Sequence, residues 1–246
     1  MAATSTDTNA PRVWDRFLSE QDKASLSGRE ARRRGFGERP ALLLIDLYRW
    51  VFGDEPEPLL ESMKKWPGSC GLPAWESIPH TQKLLAAARS AGIPVIYSTG
   101  AGDSVVPQWS GPGGNRVNMN DAAAADRFNR RNDIMPEIGP IEGELVVRKQ
   151  SPSAFWGTPL TGYLISQGID TLLVGGESTS GCVRSSVVDG CTNRFRMMVV
   201  EQSVFDRHES CHAIDLFTMD RKYADVVQLD ETLKYLDEWQ ESHPKK

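Results

Sequence analysis

The sequence predicts one α/β domain, a three-layer α/β/α sandwich around a mainly parallel, doubly wound six-stranded sheet. Three observations carry this. Six short strand-like runs recur along the chain, "ALLLID", "VIYS", "ELVVRK", "TLLVGG", "RMMVVE" and "ADVV". Helical stretches separate most of them, and Gly or Pro marks several of the changeovers. Strands alternating with helices form parallel sheets covered on both faces.

The elements follow in order. The N-terminus, "MAATSTDTNAPRVW", has no apolar signal-peptide core, so it is expected to be a disordered tail on a cytoplasmic protein. Residues 12–40 are charged and carry "REARRRGFGERP"; they form either a solvated arm or a subunit contact. This divides the chain into an arm over residues 1–34 and a domain over 35–246. "ALLLID", Ala41 to Asp46, is a continuous apolar run suited to a central strand buried on both faces. Residues 53–78, rich in Pro, Gly and Trp, show no clear period and read as a long excursion that could serve a neighbouring subunit or cover the chain's own sheet. "HTQKLLAAARSAG" is a helix stopped by Gly92 with Pro94 beyond it. Residues 100–120 form a glycine-rich loop without phosphate-loop spacing. "PLTGYLISQG" is a helix with Pro159 near its start and Gly168 at its end. Further helices are expected from Cys182 to about Asn193, over 209–222, and over "DETLKYLDEWQ". No internal repeat or interdomain linker interrupts this pattern.

Composition narrows the partners. The chain has 246 residues, 39% hydrophobic and 25% charged, with a net charge of −5. That balance offers no basic field for nucleic acid or an anionic membrane, and no apolar run reaches the ~20 residues that span a bilayer. The four cysteines, Cys70, Cys182, Cys191 and Cys211, are widely spaced, with no C-x-x-C pair, a pattern of reduced thiols rather than a disulfide framework or zinc site.

In doubly wound sheets, ligands bind beyond the carboxyl ends of the strands. Three reactive side chains are expected there. Asp46 ends the first strand, Lys149 ends "ELVVRK", and Cys182 follows "TLLVGG" in "LLVGGESTSGCVRSS". An Asp closing an apolar strand is costly unless paired, and Lys149 is the candidate. A plain buried ion pair that only holds the fold is the alternative. A thiol at a helix start faces unpaired N–H groups that favour its thiolate. With Lys149 supplying charge and Asp46 moving the thiol proton to a leaving amine, the three form a nucleophilic set.

At this point the sequence resembles a family. The segments Gly35 to Asp46, Lys149 to Thr158 ("KQSPSAFWGT"), Ser178 to Arg184 ("STSGCVR") and Asp206 to Val227 are similar to those of cysteine hydrolases of the isochorismatase-like superfamily, above all N-carbamoylsarcosine and maleamate amidohydrolases. The resemblance implies that Cys182 is the nucleophile, Asp46 the base and then acid, and Lys149 the cation that holds both in their charged forms. It implies an oxyanion hole from the backbone N–H groups of Ser178 and Cys182, and a cis peptide at Glu177–Ser178. Arg207 would bind a substrate carboxylate, unless it is a surface residue paired to Asp206 or Glu209. Thr179 and Phe155 are further pocket candidates, although Phe155 could equally be plain core. Arg184 is expected to be structural or intersubunit. Position 177 is usually small or apolar in the family the sequence resembles; here Glu177 either points to solvent, the expected case, or meets a basic group in the pocket. Phe205 stands where relatives often have Gly, which leaves the pocket shape open. The expected chemistry is release of ammonia from a small primary amide or ureido carboxylate through a thioester, without cofactor or metal, in a homo-oligomer.

Other readings remain. A neutral amide or carbamate could be the substrate of the same triad. The "HESCH" string holds His208, Cys211 and His212, with the histidines at helical ligand spacing. An enol-ether cleaving branch needs no cysteine, and a non-catalytic interaction protein could keep the fold alone. There is no G-x-G-x-x-G after the first strand, which disfavours a dinucleotide site.

Overall fold

The computed structural model describes residues 11–26, 33–101 and 120–244. Six strands, β1 (Pro40–Ile45), β2 (Val95–Gly100), β3 (Leu145–Lys149), β4 (Thr171–Glu177), β5 (Arg196–Phe205) and β6 (Asp225–Val227), form one sheet in the order β3-β2-β1-β4-β5-β6. Every pairing is parallel. The predicted doubly wound sheet is therefore the observed one, and its direction reverses between β1 and β4.

Strand alternation divides the core in two. Ala41, Leu43 and Ile45 of β1 join Leu172 and Val174 of β4 and Met197 and Val199 of β5 on one face. Leu42 and Leu44 join Leu173, Met198 and Val200 on the other. Both faces are buried, so these strands read as unbroken apolar runs rather than alternating ones. Helices α6 (Leu160–Ser166), α7 (Arg184–Thr192) and α8 (Glu209–Lys222) cover the first face. The second is covered by α4 (Leu72–Ala91) and α9 (Leu229–Ser242).

Three departures from the sequence reading have local causes. Helix α4 begins at Leu72, eight residues before the predicted start, because Pro79 lies inside the helix instead of ending it. The excursion at 53–78 follows α2 (Arg49–Phe52), contains α3 (Leu59–Lys65) and the start of α4, and folds onto this chain's own core. Trp66 is buried, and Trp75 donates to Phe52 O at 2.8 Å while meeting the Phe52 ring edge-on. Helix α5 (Ala122–Arg130) was not predicted; Asp121 caps it, accepting from Ala123 N and Ala124 N.

In the arm, α1 spans Glu20–Leu26, and the residues before it contact the domain. Trp14 is buried against Phe217, Arg12 pairs with Glu201 at 3.0 Å, and Arg16 pairs with Glu209. Of the expected tail at 1–14, residues 11–14 are described and end in the buried Trp14, so that end is not a free tail. Residues 1–10, residues 27–32 of the arm and most of the glycine-rich loop, 102–119, lie outside the described residues.

Candidate active site

The reversal between β1 and β4 opens the sheet's carboxyl edge, and the three reactive residues meet there. Asp46 follows β1 with φ 55, a left-handed conformation that Asp tolerates better than most residues. Its N–H donates to Ser98 O, and Ser98 Oγ donates to its Oδ1, both at 3.0 Å. The carboxylate is fully buried. Lys149 ends β3, two strands away, and its register partner on the intervening β2 is Gly100. Its Nζ lies 2.7 Å from Asp46 Oδ2, 3.4 Å from Cys182 Sγ and 3.0 Å from Ser151 O.

Cys182 reaches this pair through a tight turn. Strand β4 approaches β1 so closely that a Cβ on Gly176 would overlap Ile45 O, and Gly176 has φ 118, so only glycine fits. The Glu177–Ser178 peptide is cis. Thr179–Val183 then forms one π turn, with Val183 N donating to Ser178 O at 3.1 Å, before α7 starts at Arg184. Cys182 therefore sits in a π turn ahead of the α-helix, a geometry frequent at functional sites. A Cβ on Gly181 would meet Ser178 Oγ, which would have to turn aside.

Side chains from three elements hold the turn. Asp206, just after β5, accepts from Ser180 N at 2.8 Å and Ser180 Oγ at 2.7 Å. Ser186 Oγ donates to Cys182 O at 2.7 Å and accepts from Ala154 N at 2.9 Å, tying the "SPSAFWGT" segment to the nucleophile. Thr179 is buried; its hydroxyl donates to Phe205 O at 3.0 Å and lies 2.8 Å from His212 Nδ1. In that arrangement His212 donates to Thr179, since the hydroxyl has one proton.

Charge and burial set the protonation states. Burial raises the Asp46 pKa above the usual carboxylate value, against the pull of Lys149. Burial opposes the Lys149 ammonium, but Asp46 and Cys182 outweigh it, so its pKa lies above the ordinary lysine value. Burial, then the Asp46 charge, pushes the Cys182 thiol up. Desolvation at Cys182 therefore works against the helix-start preference for a thiolate, and Lys149 works with that preference.

The remaining candidates divide. Phe155 is buried beside Phe195 in the core, with ring centroids 6.0 Å apart. Arg184 pairs within the chain, 3.3 Å from Asp215 of α8. Arg207 pairs with neither Asp206 nor Glu209: its Nε donates to Ser69 O at 3.0 Å and its Nη2 to Pro67 O at 3.3 Å. Phe205 is buried edge-on to Phe52 at 5.3 Å. Glu177 does not turn to solvent as expected. It is only partly exposed, and its Oε1 accepts from Cys70 Sγ at 3.9 Å. Burial, Asp46 and Asp206 raise its pKa to about 8. Among the described residues no group of three or more His, Cys, Asp or Glu is arranged to hold a metal ion.

Sequence reasoning missed Ser98, Asp206 and the direction of Glu177. Ser98 was open to the strand-end rule that found Asp46. Asp206 and Glu177 were not, because a strand end does not reveal which way a side chain turns.

Comparison with known proteins agrees with this architecture. Residues 40–231 match the isochorismatase domain family. The chain is 33% identical over 214 residues to N-carbamoylsarcosine amidase of Arthrobacter sp., covering 84% of this chain and 74% of that protein. It is 33% identical over 221 residues to maleamate amidohydrolase of Pseudomonas putida, covering 89% and 96%. In fold it resembles N-carbamoylsarcosine amidase from Thermoplasma acidophilum, with a TM-score of 0.59 and 23% identity over 78% of this chain and 97% of that one. A cysteine hydrolase from Pseudomonas syringae superposes with a TM-score of 0.67 and 18% identity, covering 87% and 99%. With the domain match spanning most of the chain and both curated relatives aligned along nearly all of it, this protein belongs to the isochorismatase family.

Proposed function

We propose that the protein is a cysteine amidohydrolase that releases ammonia from a small carboxylate bearing a primary amide or ureido group. The observation that carries this is Lys149 Nζ standing 2.7 Å from Asp46 and 3.4 Å from Cys182 Sγ at the sheet's switch point. The amidase and amidohydrolase names of the two 33% identical relatives support the reaction class.

The chemistry follows from the placement of the three side chains. Cys182 loses its proton to Asp46 as Sγ adds to the amide carbonyl. Lys149 offsets the charge on sulfur during that transfer. The backbone N–H groups of Ser178 and Cys182 receive the developing oxyanion, each such donor contributing about 3 kcal/mol in acyl-transfer sites. Asp46 returns the proton to the leaving nitrogen, ammonia departs, and an acyl thioester remains on Cys182. Water, deprotonated by Asp46, then cleaves the thioester and regenerates the thiol. The raised Asp46 pKa suits it to taking up and giving back a proton.

Arg207 is the proposed anchor for the substrate carboxylate. Two of its nitrogens are engaged by the 67–69 turn, while Nη1 makes no hydrogen bond among the described residues. Four unpaired cysteines support a cytoplasmic location. Among the described residues no helix is long and apolar enough to cross a membrane. A homo-oligomer without nucleic-acid or membrane partners completes the proposal. An ammonia-release assay on paired carboxylated and neutral amides tests it. Faster turnover of the carboxylated members is expected, and equal turnover of both sets would shift the substrate to neutral amides.

A further inference from the structure

Glu177 stands out in this site because nothing in the mechanism uses it. It closes β4 and lies in register with Phe205 of β5, directly ahead of the π turn that carries Cys182. The other carboxylates nearby are committed. Asp46 faces Lys149, and Asp206 holds Ser180 N and Oγ. Glu177 forms no ion pair with Lys149 or Arg207 among the described residues, and its recorded contact is the Cys70 thiol. Arg207 and Glu177 meet the same short segment: Arg207 grips Ser69 O, while the adjacent Cys70 meets Glu177. Glu177 therefore stands beside the segment that Arg207 grips, in the corner where Arg207 would receive an anion.

We propose that Glu177 is a specificity-determining residue that, as the uncharged acid, donates a hydrogen bond beside Arg207 to an anionic group of the substrate, and that, once ionised, repels that anion. The inference rests on the amidohydrolase reading for the identity of the ligand, not for the geometry. The groups facing Glu177 are Asp46 and Tyr48 after β1, Lys149 at the end of β3, Cys182 in the π turn, Asp206 and Arg207 after β5, and Cys70 before α4. Among them the two cations, Lys149 and Arg207, are matched in number by two carboxylates, Asp46 and Asp206, so an ionised Glu177 would leave the corner negative before any substrate enters. Burial together with those two aspartates raises the Glu177 pKa to about 8, which keeps the acid form dominant at neutral pH. A protonated carboxyl donates one O–H, which a carboxylate accepts strongly.

The test is equilibrium binding to the Cys182→Ala protein, which binds without turnover. Succinamate is the anionic probe and succinamide the neutral probe of equal size, titrated by calorimetry from pH about 6.5 to about 9.5. The succinamate Kd should stay level at low pH and rise about tenfold per pH unit above the Glu177 pKa. The succinamide Kd should not change. Adding Glu177→Gln keeps a neutral donor and should flatten the succinamate curve. The contrast between the two probes needs no substitution at position 177, so a poorly folded double variant would not remove the test. A flat succinamate curve, equal slopes for both probes, a slope that survives Glu177→Gln, or no succinamate binding at neutral pH would each overturn the assignment. Ammonia release from succinamate by the unsubstituted enzyme is scored separately. The expected slope without release would discard the cleavage chemistry and keep Glu177; release without the slope would do the reverse.

Discussion

Lys149 serves two acids at once, and its removal should show both roles. Lys149→Met leaves the fully buried Asp46 without its cation. Breaking a buried pair in this way typically costs about 3–5 kcal/mol, so the denaturation midpoint should fall sharply. Activity should drop by orders of magnitude, and the alkylation-pH profile of Cys182 should move upward; unchanged thiol reactivity would make Lys149 only a structural counter-ion. Glu177 gives a second residue-scale test. Its pKa rises from the usual 4.5 to about 8 on folding, so the folded protein binds the proton more tightly than the unfolded chain. The stability this contributes is complete below 4.5 and is lost as pH rises through about 8. Between those limits the unsubstituted protein should lose roughly 2 kcal/mol relative to Glu177→Gln, allowing for the partial exposure of the residue. Urea midpoints for the two proteins at matched pH values measure the difference, and parallel curves would place the carboxyl in water. Asp46, Lys149 and Cys182 were legible because each ends or follows a recognisable strand. Glu177 was not, because its partner Cys70 comes from a distant segment.

The turn between β4 and α7 is where backbone shape and chemistry are coupled. Gly176→Ala would force a Cβ into Ile45 O at a φ that L-residues avoid. The expected loss is about 2–4 kcal/mol, read as a lowered thermal midpoint, with activity falling further because the Cys182 turn must shift. Asp206→Ala removes the acceptor of both Ser180 bonds and leaves the backbone N–H of a part-buried turn unsatisfied. That should cost about 1–3 kcal/mol and lower kcat more than it alters KM, as steady-state kinetics would report. At this scale the strands were readable, since double-sided burial writes an unbroken apolar run. Helix α4 was misread at its start because an interior Pro79 imitates a stop signal. The end of β5 was also misread, because its ladder with β4 shifts register between Val174 and Gly176 and lets the strand continue to Phe205.

Across the whole molecule, a doubly wound topology brings residues more than 130 positions apart in sequence to one edge, as Asp46 and Cys182 show. Composition and strand order sufficed for that architecture, whereas the arm's contacts were not readable from its charge. Trp14 is buried against Phe217, so Trp14→Ala should destabilise the domain by about 3–5 kcal/mol, an effect absent if the arm contributes only at a subunit contact. Sedimentation is expected to report a homo-oligomer; a fully active monomer would dispose of a shared pocket. The central claim, that the molecule works as a cysteine amidohydrolase, is tested most directly by the rate of ammonia release from a carboxylated amide by Cys182→Ser. The account predicts a loss of roughly three orders of magnitude or more with the fold intact by circular dichroism. Ammonia release by Cys182→Ser at the rate of the unsubstituted enzyme would contradict it.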